Sequence, residues 1–230
     1  MATQAELEQV RRALNRLSQA AQNDMAAVWD SLPTWSRMTV STALSQGWEW
    51  VLERYGNMAS TLAADFFEVQ AVDLGVKRPK SVIAPPMDER RAMARLGWAV
   101  STEDQRGNML VLLDELVKQP YRSTMQNSAH AAHLAWARVP SGSETCAWCI
   151  MLASRGAVYH SAELAKLGTN GKKYHGFCDC VPTVVKSASD YPEGYDPDAL
   201  YGQYEAGRAQ AGSGDPKAIT AAMRQQAGTN

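Results

Sequence analysis

Long apolar runs are missing from this chain. Nowhere do roughly 18 apolar residues follow one another, so no transmembrane helix is expected. An excess of one charge is missing too. Lys and Arg number 23 against 24 Asp and Glu, giving a formal net charge of −1 and a pI near 6.4. That field is too weak to drive binding to nucleic acid or to an anionic membrane. The opening MATQAELEQVRRALNRL holds no apolar stretch followed by a cleavage site, so the expectation is a chain without a secretory signal, kept in a reducing cytosol. There is no internal repeat, no low-complexity tract and no H-E-x-x-H metalloprotease motif. Cysteine is scarce, with four residues in 230. What the chain does have is 45% apolar content, enough for a true core in one large domain or two small ones.

The periodicity predicts a mainly α fold: a helical N-terminal region joined to a small cysteine-rich α+β module. Leu7, Val10, Leu14, Leu17, Ala21, Met25 and Val28 recur at spacings of three and four and mark an amphipathic helix over 5–30. Further helices are expected over 33–55, with a stop or kink at Gly56-Asn57, and over 58–74. The proline-bearing stretch 75–86 reads as a linker. Helices come next over 87–97, over 102–118 with Ser101 as N-cap, and, after a break at Pro120, over 121–137. The chain thus divides into an all-helical region 1–139, a Cys/His module 140–187 and a polar region 188–230. The module is expected to hold a short helix over 146–154 and strands over 157–159 and 180–185. The last region is expected to hold helices over 197–210 and 216–226.

All four cysteines fall at the two ends of one segment, as Cys146-x2-Cys149 and Cys178-x-Cys180, with His175 three residues before the second pair. Ligand types and spacing are those of a structural zinc site. A C-x2-C turn entering a helix presents two sulfurs to one ion, and C-x-C on a strand does the same because residues i and i+2 share a face. In a segment with little apolar content, the metal supplies folding free energy that burial does not. Zinc takes four ligands, so the set read here is Cys146, Cys149, Cys178 and Cys180, with His175 as alternative ligand or supporting residue. Two disulfides are the competing reading.

Ser141-Gly142, then C-x2-C with a short apolar helix closed by Gly156, then His175-x2-Cys178-x-Cys180 resembles the C-terminal part of the MuF-like phage head-morphogenesis proteins. There a Thr-Gly, a C-x2-C and a terminal His-Pro-x-Cys-Arg-Cys are usual. Here Gly176 stands for the proline and Asp179 for the arginine. The segment is more similar to a branch from phages of actinobacteria, often labelled capsid maturation protease. In that branch C-x2-C-x-M-L-A-S-R-G, Tyr-His-x2-Cys-x-Cys and a late Gly-Ser-Gly-Asp-Pro-Lys recur. The likeness covers about residues 138–226. It implies a minor head protein of the virion or procapsid, acting in head morphogenesis, assembled in the host cytoplasm, with the portal protein or the major capsid protein as partner.

The protease label implies a nucleophile, a base and an orienting group. Cys146 at a helix start, His175 or His160 as base, and Asp179 or Glu163 as orienter make a drawable triad. Cysteines that hold zinc leave no such nucleophile. His130 and His133 are spaced to share a helix face, for which a partly buried face is the simpler account. The seven tryptophans, Trp29, Trp35, Trp48, Trp50, Trp98, Trp136 and Trp148, read mostly as core-facing rather than as base-stacking platforms. Arg138 and Arg155 flank the module and suit either a carboxylate contact or the surface. Residues 140–182 carry a net charge of about +1, which disfavours a zinc module built for DNA.

Overall fold

The computed structural model describes residues 2–32, 37–142, 145–157, 174 and 176–227, with the side chains of 37–41 outside that description. Three long helices form the frame: α1 (Gln4–Asp30), α2 (Arg37–Asp73) and α4 (Gln105–Ala131), with the shorter α3 (Glu89–Ala99) at one end. At the other end a two-stranded antiparallel ribbon, β1 (Ala135–Pro140) and β2 (Cys180–Val185), pairs Trp136 with Val184 and Pro140 with Cys180. A short helix, α5 (Ala147–Ala153), precedes β2. A 3-10 turn at Ala188–Asp190 and two helices, α6 (Pro197–Ala211) and α7 (Pro216–Ala227), complete the described chain.

α1 opens with a capping box: the Thr3 hydroxyl accepts from the Glu6 N–H, and the Glu6 carboxylate accepts from the Thr3 N–H at 2.7 Å. Its stripe Leu7, Val10, Leu14, Ala21 and Met25 is buried as the periodicity predicts. Leu7, Val10 and Leu14 meet Ala59, Ala63 and Phe67 of α2 and Tyr121 and Met125 of α4. Ala21 and Met25 meet Leu44, Trp48 and Val51 of α2 and Met109, Leu113 and Leu116 of α4. α1 therefore runs antiparallel to both α2 and α4. The ribbon is part of the first of these cores, through Trp136, Ala137, Val139, Val181 and Val184. Gln70 of α2 also accepts the Val184 N–H at 3.1 Å.

Two expected breaks are not breaks. α2 runs through Gly56-Asn57 and α4 runs through Pro120. These residues meet: a Cβ on Gly56 would stand 3.2 Å from the Pro86 ring and 3.3 Å from the Pro120 ring. Gly56 is small so that the 75–86 connection and α4 can press against α2, and burial of Pro120 outweighs the helix bond its missing N–H forgoes. α4 caps on Asp104, not Ser101, through the Gly107 N–H at 2.9 Å. It ends at Ala131 instead of continuing to 137. His133 takes a left-handed conformation (φ 54°), with His133 N–H to His130 C=O at 3.2 Å and Leu134 N–H to Ala129 C=O at 2.9 Å, a Schellman stop. The chain then enters β1, buried from Trp136 to Val139 on both faces, so it carries no period-two alternation that would have marked it as a strand. The 146–154, 180–185, 197–210 and 216–226 elements appear within a residue of their expected ends. Of the strand expected over 157–159, residues 158 and 159 lie outside the described residues, as does Trp35.

His130 and His133 do not share a helix face, because the helix ends between them; both are exposed. The tryptophans are also less internal than expected. Trp48 and Trp136 are buried, Trp29 and Trp148 are half-buried, and Trp50 and Trp98 are exposed. Trp48 takes the core stripe of α2, which turns Trp50, two positions on, outward against Arg54 at 5.1 Å.

Candidate metal centre

The four cysteines come together where α5 and β2 meet, beneath α4. Cys146 is the N-cap of α5, and its sulfur accepts the Cys149 N–H at 3.3 Å. The sulfur thus acts as the N-cap acceptor at the positive end of α5. Cys149 faces inward from the first turn of α5, with its Sγ 3.4 Å from Cys178 Sγ. Cys180 is the first residue of β2, and Cys178 lies two residues before it. Ligand atoms of Cys149, Cys178, Asp179 and Cys180 all lie within 4.8 Å of one another, and Cys146 packs at the border of this group. Bonds of about 2.3 Å in a tetrahedron require sulfurs roughly 3.8 Å apart, so the spacing suits one ion. No disulfide joins the four. The cysteines and Asp179 are thus close enough to bind a metal ion.

Asp179 is occupied structurally. Its carboxylate accepts the Gly142 N–H at 2.9 Å, and its backbone carbonyl accepts the Ser141 hydroxyl at 2.7 Å. A Cβ on Gly142 would collide with that carboxylate. The Ser141-Gly142 pair is therefore the dock that ties the entry to the C-x2-C turn onto the C-x-C pair. Burial pushes the Asp179 carboxyl up, and Cys178 adds to the effect.

A second layer, unforeseen from the sequence, lies on one face of α4, where Asp114, Lys118 and Arg122 recur every four residues. All three are buried. Asp114 Oδ1 pairs with Lys118 Nζ at 2.6 Å and accepts the Ser18 hydroxyl at 2.6 Å, while Oδ2 accepts the Phe177 N–H at 2.6 Å. Arg122 Nη2 donates to the Cys178 carbonyl at 3.3 Å. Arg138 of β1, expected to contact a carboxylate or the surface, is instead fully buried, with Nη2 3.8 Å from Cys178 Sγ; Arg155 is exposed. The guanidiniums of Arg122 and Arg138 lie 3.9 and 3.8 Å from the centroid of the Tyr174 ring. A centroid admits one guanidinium per face at such distances, so Tyr174 is sandwiched between them.

This setting sorts the thiols. Cys178 is held well below its ordinary range by hydrogen bonds from Cys149 and Cys180, which outweigh burial, with Arg122 and Arg138 adding to them. Cys149 is pushed up by its hydrogen bonds to Cys146, Cys178 and Cys180 and by burial. Cys180 also rises, because its bond to Cys178 and burial together outweigh its bond to Cys149. Among Cys149, Cys178 and Cys180, Cys178 is the one whose ionised form this setting favours. Burial pushes the Tyr174 phenol up to about 12 against the pull of the two arginines. Of the residues read as site candidates, Cys146, Cys149, Cys178, Cys180 and Asp179 converge; His175, His160 and Glu163 lie outside the described residues.

Comparison with known proteins gives the chain its place. Gene 15 protein of Mycobacterium phage L5 is 33% identical over 90 residues, covering 25% of this chain and 31% of that protein. Gene 15 protein of Mycobacterium phage D29 is 34% identical over 82 residues, covering 25% of this chain and 30% of that protein. The match spans under a third of the length of these curated relatives. No solved structure matches. The sequence model of the VG15 protein family matches residues 1–207, from α1 through the cysteine cluster into α6. The chain belongs to the VG15 protein family and is a phage-encoded protein.

Proposed function

We propose that this phage protein is a minor head component that acts in head morphogenesis at the portal or capsid interior, with Cys146, Cys149, Cys178 and Cys180 holding a structural zinc ion. The observation that carries the zinc reading is the convergence of two cysteine pairs, with 28 residues between them in sequence: Cys149, Cys178 and Cys180 form one buried group within metal-binding reach, and the half-buried Cys146 packs against it. Zinc supplies no redox chemistry. With four protein ligands it would staple α5 to β2 and shape the surface above them. The mycobacteriophage relatives support the phage origin, and the head assignment draws on the resemblance of residues 138–226 to MuF-like head proteins. α4 and the ribbon give the module a rigid base from which to contact portal or major capsid subunits.

A capsid maturation peptidase is the second reading. One observation favours it: Cys146 alone of the four cysteines is only half-buried, and it sits at the N-terminus of α5. Metal analysis of the purified protein, with thiol titration under denaturing conditions and chelator, separates the two. The structural reading expects about one zinc per chain and four reactive thiols, with Cys146→Ala losing both the metal and the module's fold. A metal-free wild type, together with a folded Cys146→Ala protein that no longer cleaves major capsid protein, would establish the peptidase instead. Co-expression with portal and major capsid proteins, followed by sedimentation of procapsids, tests the head assignment: the chain is expected in the particle fraction.

A further inference from the structure

Two arginines lie buried against the cysteine cluster, one from α4 and one from β1. Arg122 is 1% exposed and Arg138 0%. Removing two guanidinium charges from water is costly unless a fixed negative charge stands beside them. The nearby carboxylates are otherwise committed: Asp114 is matched by Lys118, and Asp179 holds Gly142. Both arginines instead converge on Cys178, Arg138 on its sulfur and Arg122 on its carbonyl. Arg122 Nε and Nη1 have no hydrogen-bond acceptor among the described residues, so its charge is balanced through space rather than by a directed pair. Tyr174 holds the two cations apart, offering its ring faces and accepting a cation on each.

Resting on the zinc reading of the cysteine cluster, we propose that Arg122 and Arg138 are the fixed counter-charges of a dianionic centre, a divalent cation in the four thiolates of Cys146, Cys149, Cys178 and Cys180. The charge count selects among the alternatives. A divalent ion in four thiolates carries −2, which matches the two arginines. Replacing one thiolate by the neutral imidazole of His175 leaves −1, and two disulfides leave zero. A centre with Asp179 in place of Cys146 would also carry −2; Asp179 Oδ2 already accepts the Gly142 N–H, and the Asp179→Asn and Cys146→Ala spectra separate the two. The two arginines and Tyr174 are then positioning residues. They do not touch the ion, yet they offset the −2 of a four-thiolate centre and favour it over one with a histidine.

The test uses the whole chain and the bare ions. Co2+ absorption reports the ligand set, and competition with a chelating dye at fixed pH gives the Zn2+ affinity. Wild type is expected to bind one Co2+ with a four-thiolate spectrum that His175→Gln and Asp179→Asn preserve and Cys146→Ala abolishes. Arg122→Gln and Arg138→Gln, each removing a charge while keeping a polar side chain, are expected to weaken Zn2+ binding by roughly 10- to 100-fold. Arg155→Gln, on the exposed turn after α5, is expected to leave affinity unchanged. Should a Gln variant lose its helical signal, Arg→Lys at the same position decides. Restored folding and binding support a charge role, and equal failure of the Lys variant overturns it in favour of packing. Folded Gln variants that bind as tightly as wild type, or a wild-type spectrum with one nitrogen ligand that His175→Gln removes, overturn the proposal while leaving a metal centre intact. A wild type that takes up neither ion overturns the metal-centre reading, and this inference with it.

Discussion

At the scale of single residues, the chain's less expected choices cluster around the ribbon. His133 and Phe177 are the described non-glycine residues at positive φ, at 54° and 59°. His133 ends α4, its side chain is exposed, and glycine fits that backbone without strain. His133→Gly is therefore expected to stabilise the protein by about 1 kcal/mol, raising the melting temperature by roughly 2–4 °C for a chain of this size. Thermal unfolding followed by circular dichroism checks it, and a lowered midpoint would show that the imidazole makes a contact worth more than the strain. Phe177 is different. Its N–H is held by Asp114 while its ring is 61% exposed, so the strained turn serves to deliver Cys178 to the cluster. The sequence made the four cysteines and Gly156 legible because their types and spacing have few uses. It did not make Tyr174, Arg122 and Arg138 legible as one unit, because residues from a helix, a strand and a loop become neighbours only in three dimensions. Arg138 within AWARVP reads as a carboxylate contact or a surface charge until β1 is seen to be buried on both faces.

At the scale of elements, α4 does the most to position the candidate site. Asp114, Lys118 and Arg122 are spaced like a solvated i,i+4 charge ladder, the commoner use of that spacing, which is why they escape a sequence reading. The neighbouring Leu113, Leu116, Val117 and Tyr121 are buried as well, so this helix is enclosed on most of its circumference. Its long apolar register is legible in the sequence, but the inward turn of the charges is not. The Asp114–Lys118 pair carries a clear energetic signature. Asp114→Ala strips the partner from a buried ammonium and the acceptor from Ser18 and Phe177, and is expected to cost about 3–5 kcal/mol. The double substitution Asp114→Leu with Lys118→Met removes both charges and is expected to recover most of that loss, since a buried ion pair is often worth no more than apolar side chains of similar volume. Denaturant titration of the two variants measures the difference. A double variant as unstable as the single one would mean that the Phe177 and Ser18 hydrogen bonds, rather than the charge balance, set the cost. The prolines follow the same logic of place over propensity. Pro120 and Gly56, each a helix breaker by composition, are kept because they let α2, α4 and the 75–86 connection approach closely.

At the scale of the whole molecule, the question is whether the cysteine segment is a separate module or the end of one core. The composition change after Pro140 suggests a boundary, and the prolines over 75–86 suggest another. The packing argues for continuity. Trp136, Val139, Val181 and Val184 of the ribbon share one apolar cluster with Leu7, Phe67, Tyr121 and Met125 of the long helices. The backbone of β2 is also bonded to Gln70 of α2. The candidate centre is joined to α4 through Asp114 and Arg122, so whatever stabilises it stabilises the helices that it touches. Binding energy gained by the native state alone appears as folding stability. Removing metal with a strong chelator is accordingly expected to lower one cooperative melting transition, followed both by helical circular dichroism and by tryptophan fluorescence, instead of melting the 140–187 segment alone. Trp136 in β1 and Trp48 between α2 and α3 lie at opposite ends of the frame, so single-tryptophan variants retaining one or the other report the two ends independently. Coincident midpoints with and without chelator mean that the cluster acts as a staple for the entire helical frame. A Trp136 signal that shifts by many degrees while Trp48 holds would make the ribbon and α5 an independently folding unit. The proposed contacts with portal or capsid would then be built on a part that can order and disorder by itself.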